Sequence, residues 1–139
     1  MIEFDNRTDL ALQTDLLERI ADLLTKKDIE LVVVNGDEMR EINRESRNID
    51  KDTDVLSFPY EDVPMGLLGS IVISSFYLQE RAEEFTHTQN DEFTLLFIHG
   101  ILHLLGYDHE IDSGEMRLKE IELIEEFSLP KSLIVRSQE

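Results

Sequence analysis

Apolar and polar positions recur along this chain with two different periods, and the changes of period mark out its elements. Ile2-Glu3-Phe4 alternates and predicts a short first strand. Leu10, Leu12, Leu16, Leu17, Ile20, Leu23 and Leu24 fall at helical spacing and predict a helix of about four turns. Ile29-Glu30-Leu31-Val32-Val33-Val34 is short, apolar and β-branched, and Asn35-Gly36 stops it, which is the pattern of a buried strand. From Asp37 to about Arg47 the chain is polar, with Met39 and Ile42 facing inward, and predicts a short helix. Val55-Leu56-Ser57-Phe58 predicts a third strand, ended by Pro59, and Leu67 to Ile73 a fourth. Ser74 to about Phe85 predicts a helix with Phe76, Tyr77, Leu78 and Ala82 available for packing. Asn90 stands where a cap belongs for the next helix, with Asp91 and Glu92 suited to the positive end of its dipole. That helix runs through Phe93, Leu96, Phe97 and Ile101 to Leu105, and Gly106 holds the position just past its end. A last helix covers about Ser113 to Phe127, with Met116, Ile121 and Ile124 inward and Pro130 beyond. Only the Pro59–Pro64 stretch reads as a long loop.

Strands and helices are thus mixed, which predicts an α+β fold: a small mixed four-stranded β-sheet packed with about five α-helices. No repeat, low-complexity tract or Pro/Gly/Ser linker divides the chain, so residues 1–139 are expected to form a single domain. That length buries a core without disulfides. The chain has no cysteine, which excludes a disulfide scaffold, a Cys-ligated metal, thiol catalysis and iron–sulfur clusters. No apolar run reaches the roughly 18–20 residues of a membrane span. Met1-Ile2-Glu3-Phe4-Asp5 lacks the basic and apolar regions of a signal peptide, so a soluble, cytoplasmic protein is expected. Against 31 Asp+Glu stand 13 Lys+Arg, a net charge of −18. That charge opposes non-specific nucleic-acid binding over the whole surface but leaves room for a local basic patch.

Three of the four histidines fall in one run, His99-Gly100-Ile101-Leu102-His103-Leu104-Leu105-Gly106-Tyr107-Asp108-His109. His99 and His103 are four residues apart on one expected helix, so both imidazoles share a face. Gly106 permits a sharp turn that carries His109 back as a third ligand. Three neutral nitrogens with an open fourth position suit a catalytic zinc, which lowers the pKa of a bound water to about 7. Asp108 is a candidate to orient an imidazole N–H. His87, alone in a Thr-rich loop, is expected to have no metal role. The spacing is that of a zincin-like metal helix, H-E-x-x-H-x-x-G-x-x-H, with one break: the general-base Glu falls at Gly100. Met116 follows His109 too closely, and within a helix, to serve as a Met-turn. The ligand geometry is kept while peptidase chemistry is disfavoured.

Arg40, Arg44, Arg47 and Lys51 are packed into one short segment of an otherwise acidic chain. A solvated helix face, with Glu38, Glu41 and Glu45 pairing to the arginines, accounts for this from composition alone. Lying against the metal site, the same segment becomes a phosphate-recognition element, because guanidinium bonds two phosphate oxygens at once.

The run His99 to His109 resembles the signature of the YbeY family, bacterial endoribonucleases of ribosomal RNA maturation. Asn43-Arg44-Glu45-Ser46-Arg47 with Thr53-Asp54-Val55-Leu56-Ser57-Phe58-Pro59 resembles the family's second block, and Leu68-Gly69-Ser70-Ile71-Val72-Ile73-Ser74 its third. The resemblance covers about Leu31 to Phe127. It implies metal ligands at His99, His103 and His109, a functional arginine at Arg47 and one Zn2+ per chain. It further implies single-strand-directed RNA cleavage in small-subunit rRNA 3′-end processing and ribosome quality control. Two positions depart from the family: Ser70 replaces an Asp, and Ser46 stands where an aromatic often precedes the arginine. The implied chemistry is metal-assisted phosphodiester hydrolysis, with Arg47 neutralising charge on the phosphate. The attacking group is either metal hydroxide or the RNA 2′-OH, and the product ends distinguish them. Partners implied are ribosomal RNA and ribosomal particles with a protein partner, and neither membrane nor DNA is expected. Rival readings are a non-catalytic ribosome assembly factor with a structural metal, or a peptidase or amidase using Glu110 or Asp108 as base.

Overall fold

The computed structural model describes residues 1–61, 63, 66–131 and 133. The elements follow in the order β1 (Ile2–Asn6), α1 (Asp15–Leu24), β2 (Ile29–Val34), α2 (Gly36–Arg47), β3 (Val55–Pro59), β4 (Gly69–Ser74), α3 (Ser75–Glu84), α4 (Gln89–Leu104) and α5 (Glu115–Glu126). The four strands form one mixed sheet in the order β1-β2-β4-β3. β1 and β4 run parallel to β2, and β3 lies antiparallel to β4 with Ser57 opposite Ile71. This is the α+β architecture expected from the pattern.

Side-chain alternation in the strands divides the core. Leu31, Val33, Ile71 and Ile73 join Leu17, Ile20, Phe93, Phe97, Ile101 and Leu102 on the face covered by α1 and α4. Val32, Val34, Leu56 and Val72 join Met39 on the face covered by α2. From Leu31 to Val34 β2 is apolar because both of its faces are covered there, the sequence signature of a central parallel strand. The α4 helix is buried around most of its girth, from Phe93 to Leu102, and is the element against which the others pack.

Several expectations change. α1 begins at Asp15, so Leu10 and Leu12 lie in the preceding extended segment, although both still pack on the core. That segment is held by Asn6, whose Nδ2 donates to the Leu10 carbonyl at 2.9 Å and whose Oδ1 accepts from Thr8 N. The N-cap of α4 is Thr88, accepting from Asp91 N at 3.0 Å, and not Asn90, whose Oδ1 accepts from Gln13 N. On α5 the inward stripe is Met116, Glu120, Leu123 and Ile124, with Ile121 only half-buried. Phe76 does not pack inward and is 53% exposed. The His87 ring is buried against the turn into α4, with Nδ1 3.9 Å from buried Glu92 Oε1, so it does not stand alone in its loop. Of the Pro59–Pro64 stretch, Asp62 and Pro64 lie outside the described residues. The segment between α4 and α5 is a run of turns, as the helix end at Leu105, the turn at Gly106 and the helix start near Ser113 required.

Candidate metal centre

His99 and His103 project from the last turns of α4 on one side, as their spacing requires. The helix ends in a Schellman motif: Tyr107 N donates to Leu102 O and Gly106 N to His103 O, both at 3.0 Å, with Gly106 at φ +100°. Only a residue without Cβ takes that left-handed conformation cheaply, and it reverses the chain so that His109 returns to the other two rings. The ring centroids stand 4.7 Å (His99–His103), 5.4 Å (His99–His109) and 5.5 Å (His103–His109) apart. One ring nitrogen from each lies within 4.8 Å of the others.

The donor set suits a divalent ion. Glu120 on α5, buried, places Oε1 2.8 Å from His99 Nδ1 and takes its N–H, which leaves the Nε2 lone pair directed into the cluster. The Nε2 atoms of His99 and His103 lie 3.1 Å apart. Burial, with the neighbouring His99 and His109 imidazoles, holds His103 below the usual imidazole range, although Asp108 and the Tyr107 backbone pull the other way. His103 is therefore neutral and able to ligate at pH 7. Among the described residues no fourth acidic or imidazole ligand joins the three, so a coordination position stays open to substrate or water.

His99 and His103 line a cleft of about 360 Å³ whose other wall is the free edge of β3. Arg47, at the C-terminal end of α2, reaches over that edge: Nη2 donates to the Ser57 carbonyl at 3.0 Å, and the guanidinium lies 5.5 Å from the Phe58 ring centroid. Ser57 Oγ in turn donates to Gly100 O at 3.1 Å, tying the edge strand to the metal helix. The four residues expected from the sequence, Arg47, His99, His103 and His109, are thus brought together. The other cationic residues of that segment are not: Arg40 forms a two-point pair with Asp50, and Arg44 lies one helical turn back along α2.

Asp108 lines the cleft but accepts from Glu110 N at 3.0 Å, so the imidazole-orienting role expected of it falls to Glu120. Sequence reasoning missed Glu120, although an acidic residue in the apolar stripe of the last helix was a readable signal. Gly100 explains the broken motif. A Cβ there would stand 2.8 Å from Ile71 Cγ2, so α4 lies flush on β4 and no general-base carboxylate fits. Ser70 does not approach the histidines. It alternates with Ile71, faces away from α4 and donates to Glu30 Oε1 at 3.0 Å. Ser46 is exposed and donates to Ile42 O.

Comparison with known proteins agrees with this arrangement. The family model described as Endoribonuclease YbeY matches residues 3–128. The chain is 64% identical over 138 residues to the endoribonuclease YbeY of Sulfurimonas denitrificans, covering 99% of each chain. It is 56% identical over 140 residues to that of Helicobacter pylori, covering 100% of this chain and 99% of the relative. The solution structure of TM1509 from Thermotoga maritima superposes with a TM-score of 0.62 at 31% identity, covering 91% of this chain and 89% of that one. By sequence along nearly its whole length and by fold, the chain belongs to the endoribonuclease YbeY family.

Proposed function

We propose that the protein is a zinc-dependent endoribonuclease that cuts single-stranded RNA in small-subunit rRNA 3′-end maturation and ribosome quality control. It works in the cytoplasm on ribosomal particles, aided by a protein partner, with residues 1–139 acting as one catalytic domain. The observation that carries this reading is the clustering of three imidazole nitrogens within 4.8 Å of one another, with two of the rings lining the same open cleft as the Arg47 guanidinium.

His99, His103 and His109 are the proposed ligands, with Glu120 fixing the His99 ring. The ion, when bound, supplies Lewis acidity toward a phosphodiester oxygen and acidifies water. Arg47 presents a planar fork to the phosphate. One N–H is committed to Ser57 O, which pre-aims the group and leaves further donors for phosphate oxygens. Its charge counters the charge that builds on the phosphate in the transition state. Peptidase chemistry has no place for its carboxylate at residue 100.

The test is a single-stranded oligonucleotide carrying the 3′ end of small-subunit rRNA. Cleavage should stop with chelator and return with zinc. Folded His103→Ala should lose both the bound metal, read by elemental analysis, and cleavage. A 5′-phosphate product identifies water as the attacking group, and a cyclic phosphate identifies the 2′-OH. A metal-loaded wild-type protein that leaves single-stranded RNA intact overturns the reading.

A further inference from the structure

A second crevice, of about 640 Å³, opens at the other end of α2. It lies beyond the C-terminal ends of β2 and β4, where the chain leaves β2 for α2 on one face and β4 for α3 on the other. Such divergence points leave concavities that hold ligands in open sheets. Gly36, Asp52, Lys51 and Phe76 line it, and a Cβ on Gly36 would stand 2.8 Å from Asp52 Oδ2 and push that carboxylate aside. The Phe76 ring is half-exposed, yet its position is fixed by an edge-to-face contact with Tyr77 at 5.4 Å.

The crevice and the histidine cleft lie at opposite ends of α2. Arg40 and Asp50 line both this crevice and an adjoining hollow that reaches Arg44, and Arg44 is one turn from Arg47. Residues 36 and 47 are separated by about 16 Å of helix axis, a span of a few nucleotides. Charge sorts the two ends. Residues 36–51 carry a net charge of −1 and hold four of the chain's 13 Lys+Arg. Arg44 pairs loosely with Glu41 at 3.9 Å and acts electrostatically on Asp50, and its exposed guanidinium can turn to a phosphate. Within the crevice Arg40 cancels Asp50 and Lys51 offsets Asp37, which leaves Asp52 as the one unbalanced charge. A nearly neutral hollow with an exposed ring suits a base better than a phosphate.

We infer that the RNA strand runs from the histidine cleft along α2, with the phosphate next to the scissile one on Arg44 and a nucleobase stacked on Phe76. The path rests on the endoribonuclease reading and adds to it the binding of a segment outside the cut site. Residues three apart on a helix have Cβ atoms about 5–6 Å apart, so Arg44 and Arg47 can meet neighbouring phosphates of an extended strand.

The test uses metal-loaded protein and phosphorothioate oligouridylates of about two to eight nucleotides, read by fluorescence anisotropy, with KM and kcat measured on the matching RNAs. Wild-type affinity should climb with length until the crevice is reached. Phe76→Ala should weaken binding of the longest oligonucleotide about 5- to 100-fold and raise KM, the effect of one lost base–aromatic stack. Phe76→Trp should restore it, and Phe76→Leu should not. Arg44→Ala should make the slope of log affinity on log salt shallower by about 0.7, one phosphate contact. Wild-type affinity in Phe76→Ala across the series, or an unchanged salt slope in Arg44→Ala, overturns the path while leaving the endoribonuclease reading intact. A wild type that neither binds nor cuts any member overturns both.

Discussion

A buried carboxylate on an imidazole Nδ1 does two things: it selects the tautomer and it holds the ring plane. Glu120 does both for His99, and Glu120→Gln, which keeps the shape but loses the charge, should weaken zinc affinity about 10- to 100-fold. Competition with a zinc-indicator dye reads this directly, and unchanged affinity would remove Glu120 from the centre. Asp52 gives a prediction of opposite character. Burial raises its pKa above the ordinary 3.8, so the folded protein holds that proton more tightly than the unfolded chain does. The stability this contributes is present below pH 3.8 and is lost as pH rises through the raised value. Asp52→Asn should therefore raise Tm at pH 7 relative to wild type, and the gain should vanish near pH 3 in paired thermal melts. The histidines were legible because their ligand spacing is local and periodic. Glu120 was legible only as an acidic residue in an apolar stripe, and its partner was not, because the contact spans α4 and α5 and depends on how far α5 is rotated about its axis.

At the scale of elements, the strands were easier to read than the helix starts. β2 ends where Asn35 and Gly36 said it would, because its doubly covered part, Leu31 to Val34, is an apolar run that stops there. The start of α4 was misread because Thr88 and Asn90 are both good caps, two residues apart. Which one caps is decided by tertiary contacts: Asn90 is engaged by Gln13 N. Thr88→Ala should cost about 1 kcal/mol of stability in urea denaturation, whereas Asn90→Ala should leave α4 capped. The early leucines misplaced the start of α1 for a related reason. Apolar spacing reports burial, and an extended segment strapped across the core by Asn6 and Thr8 buries its leucines too. Gly100 belongs to this scale as well, because it sets how closely α4 approaches β4. Gly100→Ala should destabilise by about 1–3 kcal/mol, and should reduce cleavage if the helix moves away from Ser57 to accommodate the methyl.

For the whole molecule, the decisive quantity is charge. A protein at −18 that acts on a polyanion must confine attraction to one strip and derive the rest of its binding from a larger surface. Naked RNA should bind weakly, with affinity falling steeply as salt rises from about 50 to 200 mM, and docking on a ribosomal particle should relieve that dependence. Tight, salt-insensitive binding of arbitrary RNA by the protein alone would contradict this. The order of the centre along the chain has a consequence in time. His99, His103 and His109 are synthesised before Glu120, and the anchor reaches back only after α5 has been made and has docked on α4. During translation the proposed ligands therefore stay unaimed until α5 has been made and has docked. A nuclease born beside ribosomal RNA is thereby least competent while it is still tethered to the particle that made it.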